Sequence, residues 1–176
     1  MAEAFGAADL EAVAPRLRRY ARALTGTREA ADDLTQDALE RAWQKRALWQ
    51  PGTDLRAWMF TIMHNVFVNG TRKVRPTVSL DDLAVEDSRP ATGTSVETGI
   101  VLGELARSLV LLPEEQREVL LLVGLEQFSY AEASEMLGVP IGTVMSRLSR
   151  ARERLRLLLD AGGAGTERPA ALRRVK

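Results

Sequence analysis

The sequence predicts an all-α protein: two small helical domains joined by a flexible linker, the second containing a helix-turn-helix. Three observations carry this. Apolar residues recur at helical spacing through residues 1–74 and again through 99–160. Residues 75–98 interrupt both patterns with prolines, Ser/Thr and carboxylates, the composition of a flexible acidic linker. Residues 129–156, SYAEASEMLGVPIGTVMSRLSRARERLR, read as a capped helix, a tight turn and a second helix with arginines along one side.

Three helices fill the first domain. The first, about 9–24, repeats Leu10, Val13, Leu17, Tyr20, Ala21 and Leu24 and stops at Gly26. The second, about 27–47, turns Ala31, Leu34, Ala38, Ala42 and Trp43 inward, and Pro51-Gly52 separates it from the third. The third, about 53–73, is apolar over much of its circumference (Leu55, Trp58, Met59, Phe60, Ile62, Met63, Val66, Phe67), as suits a helix buried centrally or facing a partner. Gly70 weakens it by roughly 1 kcal/mol and predicts an end or a bend nearby.

Four more helices follow the linker, at about 98–111, 114–125, 130–137 and 141–160, before a mobile tail over 161–176. Ser129 and Glu132 form a capping box worth roughly 0.5–2 kcal/mol. Gly138 suits the turn, and Pro140 suits a first helical turn. Val144, Leu148, Ala151 and Leu155 then pack inward, which turns Thr143, Ser146, Arg147, Arg150 and Arg154 outward. Hydroxyls and guanidiniums on one helical face are the groups that bond phosphates and read base edges in a major groove.

Bulk composition removes several classes of function. With 176 residues the chain forms one domain or two small ones, and 45% hydrophobic content with only 5% aromatic favours helical units built on Leu, Val and Ala. The formal net charge is +0, yet charge is segregated. Residues 140–156 hold five Arg against Glu153, whereas 76–98 hold Asp81, Asp82, Glu86, Asp87 and Glu97 against Arg89. A locally basic helix can bind DNA while the whole chain avoids strong non-specific adhesion.

The chain has no Cys, which excludes disulfides and thiolate metal sites, and His64 is its single histidine, which excludes a histidine metal cluster. There is no glycine phosphate loop, no enzyme site and no implied cofactor. No apolar run approaches the roughly 18–20 residues that span a bilayer, and the acidic N-terminus lacks the features of a signal peptide. The expected location is cytoplasmic, without membrane insertion.

The strings LPEEQREVLLL (112–122), F-S-Y-A-E-A and G-T-V-M-S-R-L-S-R-A-R resemble the promoter-reading C-terminal domain of extracytoplasmic-function (ECF) sigma factors. Ala133-Ser134 departs from the usual Ile-Ala, and Met145 stands where many members carry Arg or Lys. The resemblance implies that the second domain reads the duplex −35 element of a promoter.

The segment T-R-E-A-A-D-D-L-T-Q-D-A-L-E-R-A-W resembles the family's polymerase-docking helix. Helical spacing puts Asp33, Gln36, Asp37, Glu40 and Gln44 on one face. The resemblance makes Asp33, Gln36, Asp37 and Glu40 candidate contacts to core RNA polymerase, at the clamp helices of the β′ subunit. The third helix resembles the −10-reading segment, so Asn65, Asn69, Arg72 and Lys73 become candidate contacts to single-stranded −10 DNA. Trp49 joins them, beside the loop that corresponds to the family's base-capturing region. An inhibitory anti-sigma factor is implied as a further partner. A helix-turn-helix regulator whose first domain dimerises or senses a signal is the alternative reading.

Overall fold

The computed structural model describes residues 5–73 and 96–162. Its regular structure there is entirely helical: α1 (Ala7–Thr25), α2 (Arg28–Gln44), a short 3-10 turn (Arg46–Leu48), α3 (Leu55–Lys73), α4 (Val96–Val110), α5 (Glu114–Leu120), α6 (Tyr130–Leu137) and α7 (Ile141–Gly162). Most of the proposed linker and the proposed tail lie outside the described residues. The helix expected to begin at residue 98 starts two residues earlier, at Val96.

The N-terminal helices start and stop on local chemistry. The Asp9 carboxylate accepts from the Gly6 N–H at 2.8 Å, and Gly26 ends α1 in the left-handed region at φ 84°. Pro15 sits inside α1 and removes a backbone donor. The helix continues because Leu17, Tyr20, Ala21 and Leu24 anchor its next turns in the core. Thr27 caps α2 by accepting from Ala30 N–H, and Asp54 accepts from the N–H groups of Arg56 and Ala57 at the start of α3.

One expectation is corrected in this half. Trp43 does not join the inward row: it is 42% exposed, with the Arg46 guanidinium 4.4 Å above its ring. It lies one residue past buried Ala42, and a helix turns 100° over that step. The described part of α3 passes through Gly70 and reaches Lys73.

The helix expected over 114–125 changes pitch part-way. After Leu120 the backbone widens into a π turn over Leu121–Leu125, and Glu126 N–H donates to Leu121 O at 3.0 Å. Gln127 follows with a left-handed φ of 61°, uncommon for a residue with a Cβ. Its side-chain amide donates to Gly124 O at 2.7 Å. The extra residue and the left-handed turn deliver Glu126 and Phe128 towards the N-terminal helices.

The two halves share one core. Tyr20 of α1 meets Phe60 of α3 edge-on at 5.1 Å, and Phe60 meets Phe128 at 5.2 Å. This also explains why α3 is apolar nearly all round. It packs on α2 along one side and on α6 along another. In α6 the capping box is formed as expected: Ser129 Oγ accepts from Glu132 N–H, and Glu132 accepts from Ser129 N–H at 2.7 Å. The Ser129 hydroxyl also donates to the Glu132 carboxylate at 2.7 Å, and this bond, with the one from Ser129 N–H, holds the carboxyl below its ordinary pKa. Gly138 makes the turn into α7 at φ 62°.

Candidate nucleic-acid and polymerase interfaces

On α7, Val144, Leu148 and Ala151 are buried, so the helix presents its other faces outward. Ser146, Arg150 and Arg154 are exposed, and neither arginine has an ion pair among the described residues. Ser146 Oγ meanwhile donates to Thr143 O at 3.0 Å. Thr143 and Arg147 depart from the expected outward face. Both are half-buried, and Arg147 Nη2 lies 2.8 Å from the Glu115 carboxylate of α5. They occupy the flank of α7 that leans on α5 rather than its open side. The open side holds Ser149 and Met145 instead.

The family motif's other arginine is structural. Arg117 is buried and donates to Val110 O at the end of α4, 3.3 Å away. Burial lowers its pKa, and the carboxylates of Glu114 and Glu118 oppose that.

The candidate residues of α2 form a continuous exposed stripe. Asp33, Gln36, Asp37, Glu40 and Gln44 are all exposed, and Gln44 donates to Glu40 across one turn at 3.2 Å. Asp32, one residue off the stripe, is drawn aside by Arg18 and Arg28 at 3.4 and 3.8 Å. A groove between α1 and α2 runs beside Gln36 and Glu40.

On α3, Asn65 and Asn69 are exposed, with Asn65 Nδ2 donating to Thr61 O at 2.9 Å. Arg72 and Lys73 lie in the last turn of the helix; their side chains fall outside the described residues. Trp49 does not project from its loop. It is half-buried edge-on against Phe5 at 5.8 Å, its indole N–H enclosed without a partner. At the start of that loop Leu48 is the exposed apolar side chain, at 70%. Trp58 packs on Phe5 from the other side, at 5.5 Å.

Between the halves lies a polar cluster that the sequence reading missed. The Glu126 side chain is fully enclosed, takes a 2.7 Å hydrogen bond from Arg19, and has Arg16 at 3.5 Å from its second oxygen. Arg56 donates to the Glu126 main-chain oxygen at 3.0 Å and stacks over Phe128 at 4.0 Å. His64 Nδ1 meets Glu118 at 2.8 Å. A carboxylate set between the apolar run LLLVGL and Phe128 was the available signal. Among the described residues there is no group of carboxylates or histidines able to hold a metal, and no helix long and apolar enough to cross a membrane.

Residues 10–64 match the family described as the Sigma2 domain of PhyR, and residues 102–155 match Sigma-70, region 4. The chain is 40% identical over 159 residues to the ECF RNA polymerase sigma factor EcfG of Rhodopseudomonas palustris, covering 89% of this chain and 86% of that one. It belongs to the ECF sigma factors. A second relative, SigM of Mycobacterium tuberculosis, is 37% identical over 146 residues, with 82% of this chain and 71% of that protein covered.

Solved structures agree with this sigma factor's fold. The sigma factor RpoE, in complex with the anti-sigma factor NepR from Bartonella quintana, superposes with a TM-score of 0.70 at 36% identity, over 86% of this chain and 94% of that one. CnrH, in complex with the cytosolic domain of CnrY, superposes with a TM-score of 0.64 at 26% identity, over 89% and 90%. Both family matches fall on the halves that carry the candidate faces: the acidic stripe in the first, the arginine helix in the second.

Proposed function

We propose that this sigma factor binds core RNA polymerase through the acidic stripe of α2 and directs promoter-specific initiation. The stripe of Asp33, Gln36, Asp37 and Glu40 docks on the β′ clamp helices, where charge complementarity gives steering and register. Asn65 and Asn69 meet single-stranded −10 bases, and Arg72 and Lys73 follow the backbone. Trp49 supports the base-capturing loop from within, against Phe5. On α7, Ser146, Arg150 and Arg154 meet the −35 duplex, while Thr143 and Arg147 border it. The protein acts in the cytoplasm, without catalysis of its own, under an anti-sigma factor like the one bound to RpoE from Bartonella quintana.

The observation that carries this reading is the division of chemistry on one chain: an exposed acidic stripe in the first half and unpaired arginines on a helix-turn-helix in the second. The packed halves also imply a change of shape. Elements named −35 and −10 lie about 25 base pairs apart, roughly 85 Å at 3.4 Å per base pair. A compact chain of this length spans only about 40 Å. The contacts around Glu126 therefore separate when both readers engage, and polymerase holds them apart.

The test is transcription by purified core polymerase with this chain as the only specificity factor. Transcripts from defined starts are expected. Absence of initiation on every genomic fragment refutes the reading.

A further inference from the structure

The outward side of α7 is not uniformly polar. Ile141 is 48% exposed and Met145 is 53% exposed, one turn apart at the N-terminal end of the helix. Nothing among the described residues covers them. Ser146, Ser149 and Arg150 surround them with hydroxyls and charge, and the groove between α6 and α7 beside Met145 is lined by Tyr130, Ser149 and Arg152. Leaving two large apolar side chains in water forfeits their burial energy.

We infer that Ile141 and Met145 read thymine methyl groups in the −35 major groove. The inference rests on the −35 reading proposed above. The surrounding hydroxyls and guanidiniums suit a duplex, and the thymine C5-methyl is the apolar feature that its major groove displays. An unbranched thioether adapts its shape to such a target. Residues one turn apart stand about 5–6 Å from each other. That matches one to two steps of about 3.4 Å along the duplex. The pair therefore addresses thymines on adjacent or next-adjacent base pairs, on either strand. An arginine at position 145 would favour guanine instead, so this substitution changes the class of base read.

The experiment uses the full chain with core polymerase on a promoter located by mapping transcription starts. Each thymine of the −35 element is replaced in turn by uracil, which removes only the methyl group, and holoenzyme binding is measured. For the natural chain, uracil should weaken binding roughly three- to fivefold, the worth of burying one methyl, at each of two adjacent or next-adjacent base pairs, one of them read by Met145. Met145→Ala should bind the thymine promoter correspondingly more weakly and show no further loss with uracil at that position. A scan in which no uracil matters overturns the inference, as does an equal uracil effect in Met145→Ala. If Met145→Gln binds promoters normally in vitro and changes activity only in cells, the patch serves a protein partner, and the inference again fails. Loss of all initiation by the natural chain would instead remove the −35 reading itself.

Discussion

Arg19 donates a 2.7 Å hydrogen bond to Glu126, joining the first helix of one half to a fully enclosed carboxylate of the other. The partners are unequally placed: the Arg19 side chain is 54% exposed and that of Glu126 is 0% exposed. Removing the arginine leaves a buried charge without its main partner, whereas removing the charge leaves arginines that water can solvate. Arg19→Ala should therefore cost about 2–3 kcal/mol of stability, and Glu126→Gln no more than about 1.5 kcal/mol. Denaturant unfolding of both variants and the double variant measures this. Equal costs, or a double variant worse than the sum, would contradict the asymmetry.

Tyr20 beneath this cluster predicts a weakness at alkaline pH. Burial raises its pKa well above the ordinary tyrosine value, helped by the carboxylates of Glu118 and Glu126. Unfolded tyrosine ionises near pH 10, the folded residue only higher. The unfolded chain thus releases its proton first. The stability this group contributes is whole below about pH 10 and falls as the pH rises towards the folded pKa. Tyr20→Phe should lose less stability between pH 9 and 11 than the natural chain. Parallel pH curves for the two proteins would rule out Tyr20 as the cause.

The exposed stripe of α2 separates binding from folding. Asp33 and Asp37 are exposed, so reversing both to Lys should change the unfolding free energy by less than about 0.5 kcal/mol each. Capture of core polymerase should nevertheless fall sharply at low salt. Unchanged capture assigns the stripe to plain solvation.

The arginines of α7 should divide by their surroundings. Arg150→Ala removes an unpaired cation and should weaken promoter binding by about 1–3 kcal/mol if it makes a bidentate base contact. Arg147 is already engaged by Glu115, so Arg147→Ala should affect promoter binding less. Glu115→Gln should release Arg147 to phosphates and steepen the salt dependence by close to one unit. Titrations across salt concentrations on promoter and non-promoter DNA distinguish these outcomes.

The helices were legible because their signals are local. The Ser129–Glu132 box, Gly26, Gly138 and the apolar rows of α1 and α7 each fix a start, a stop or a face within a few residues. The joining of the halves was not, since it depends on Tyr20, Phe60 and Phe128 meeting from distant parts of the chain. The π turn that aims Phe128 leaves the apolar pattern of 114–125 intact, so it hid inside an ordinary-looking helix. Arg147 illustrates the limit for the site. Spacing says that it points away from the core, but not that α5 lies against that flank and supplies Glu115. Trp49 reads as a loop residue until Phe5, far away in sequence, takes its ring.

The central claim is that two readers packed together in the free chain part when polymerase places them on a promoter. The absence of cysteine permits clean labelling at two introduced positions, exposed Lys45 on the N-terminal half and exposed Glu135 on α6. Energy transfer between dyes at Lys45→Cys and Glu135→Cys should be high in the free chain. It should fall steeply when core polymerase and promoter DNA are added and transcription starts. High transfer that persists in an actively initiating complex would contradict the claim.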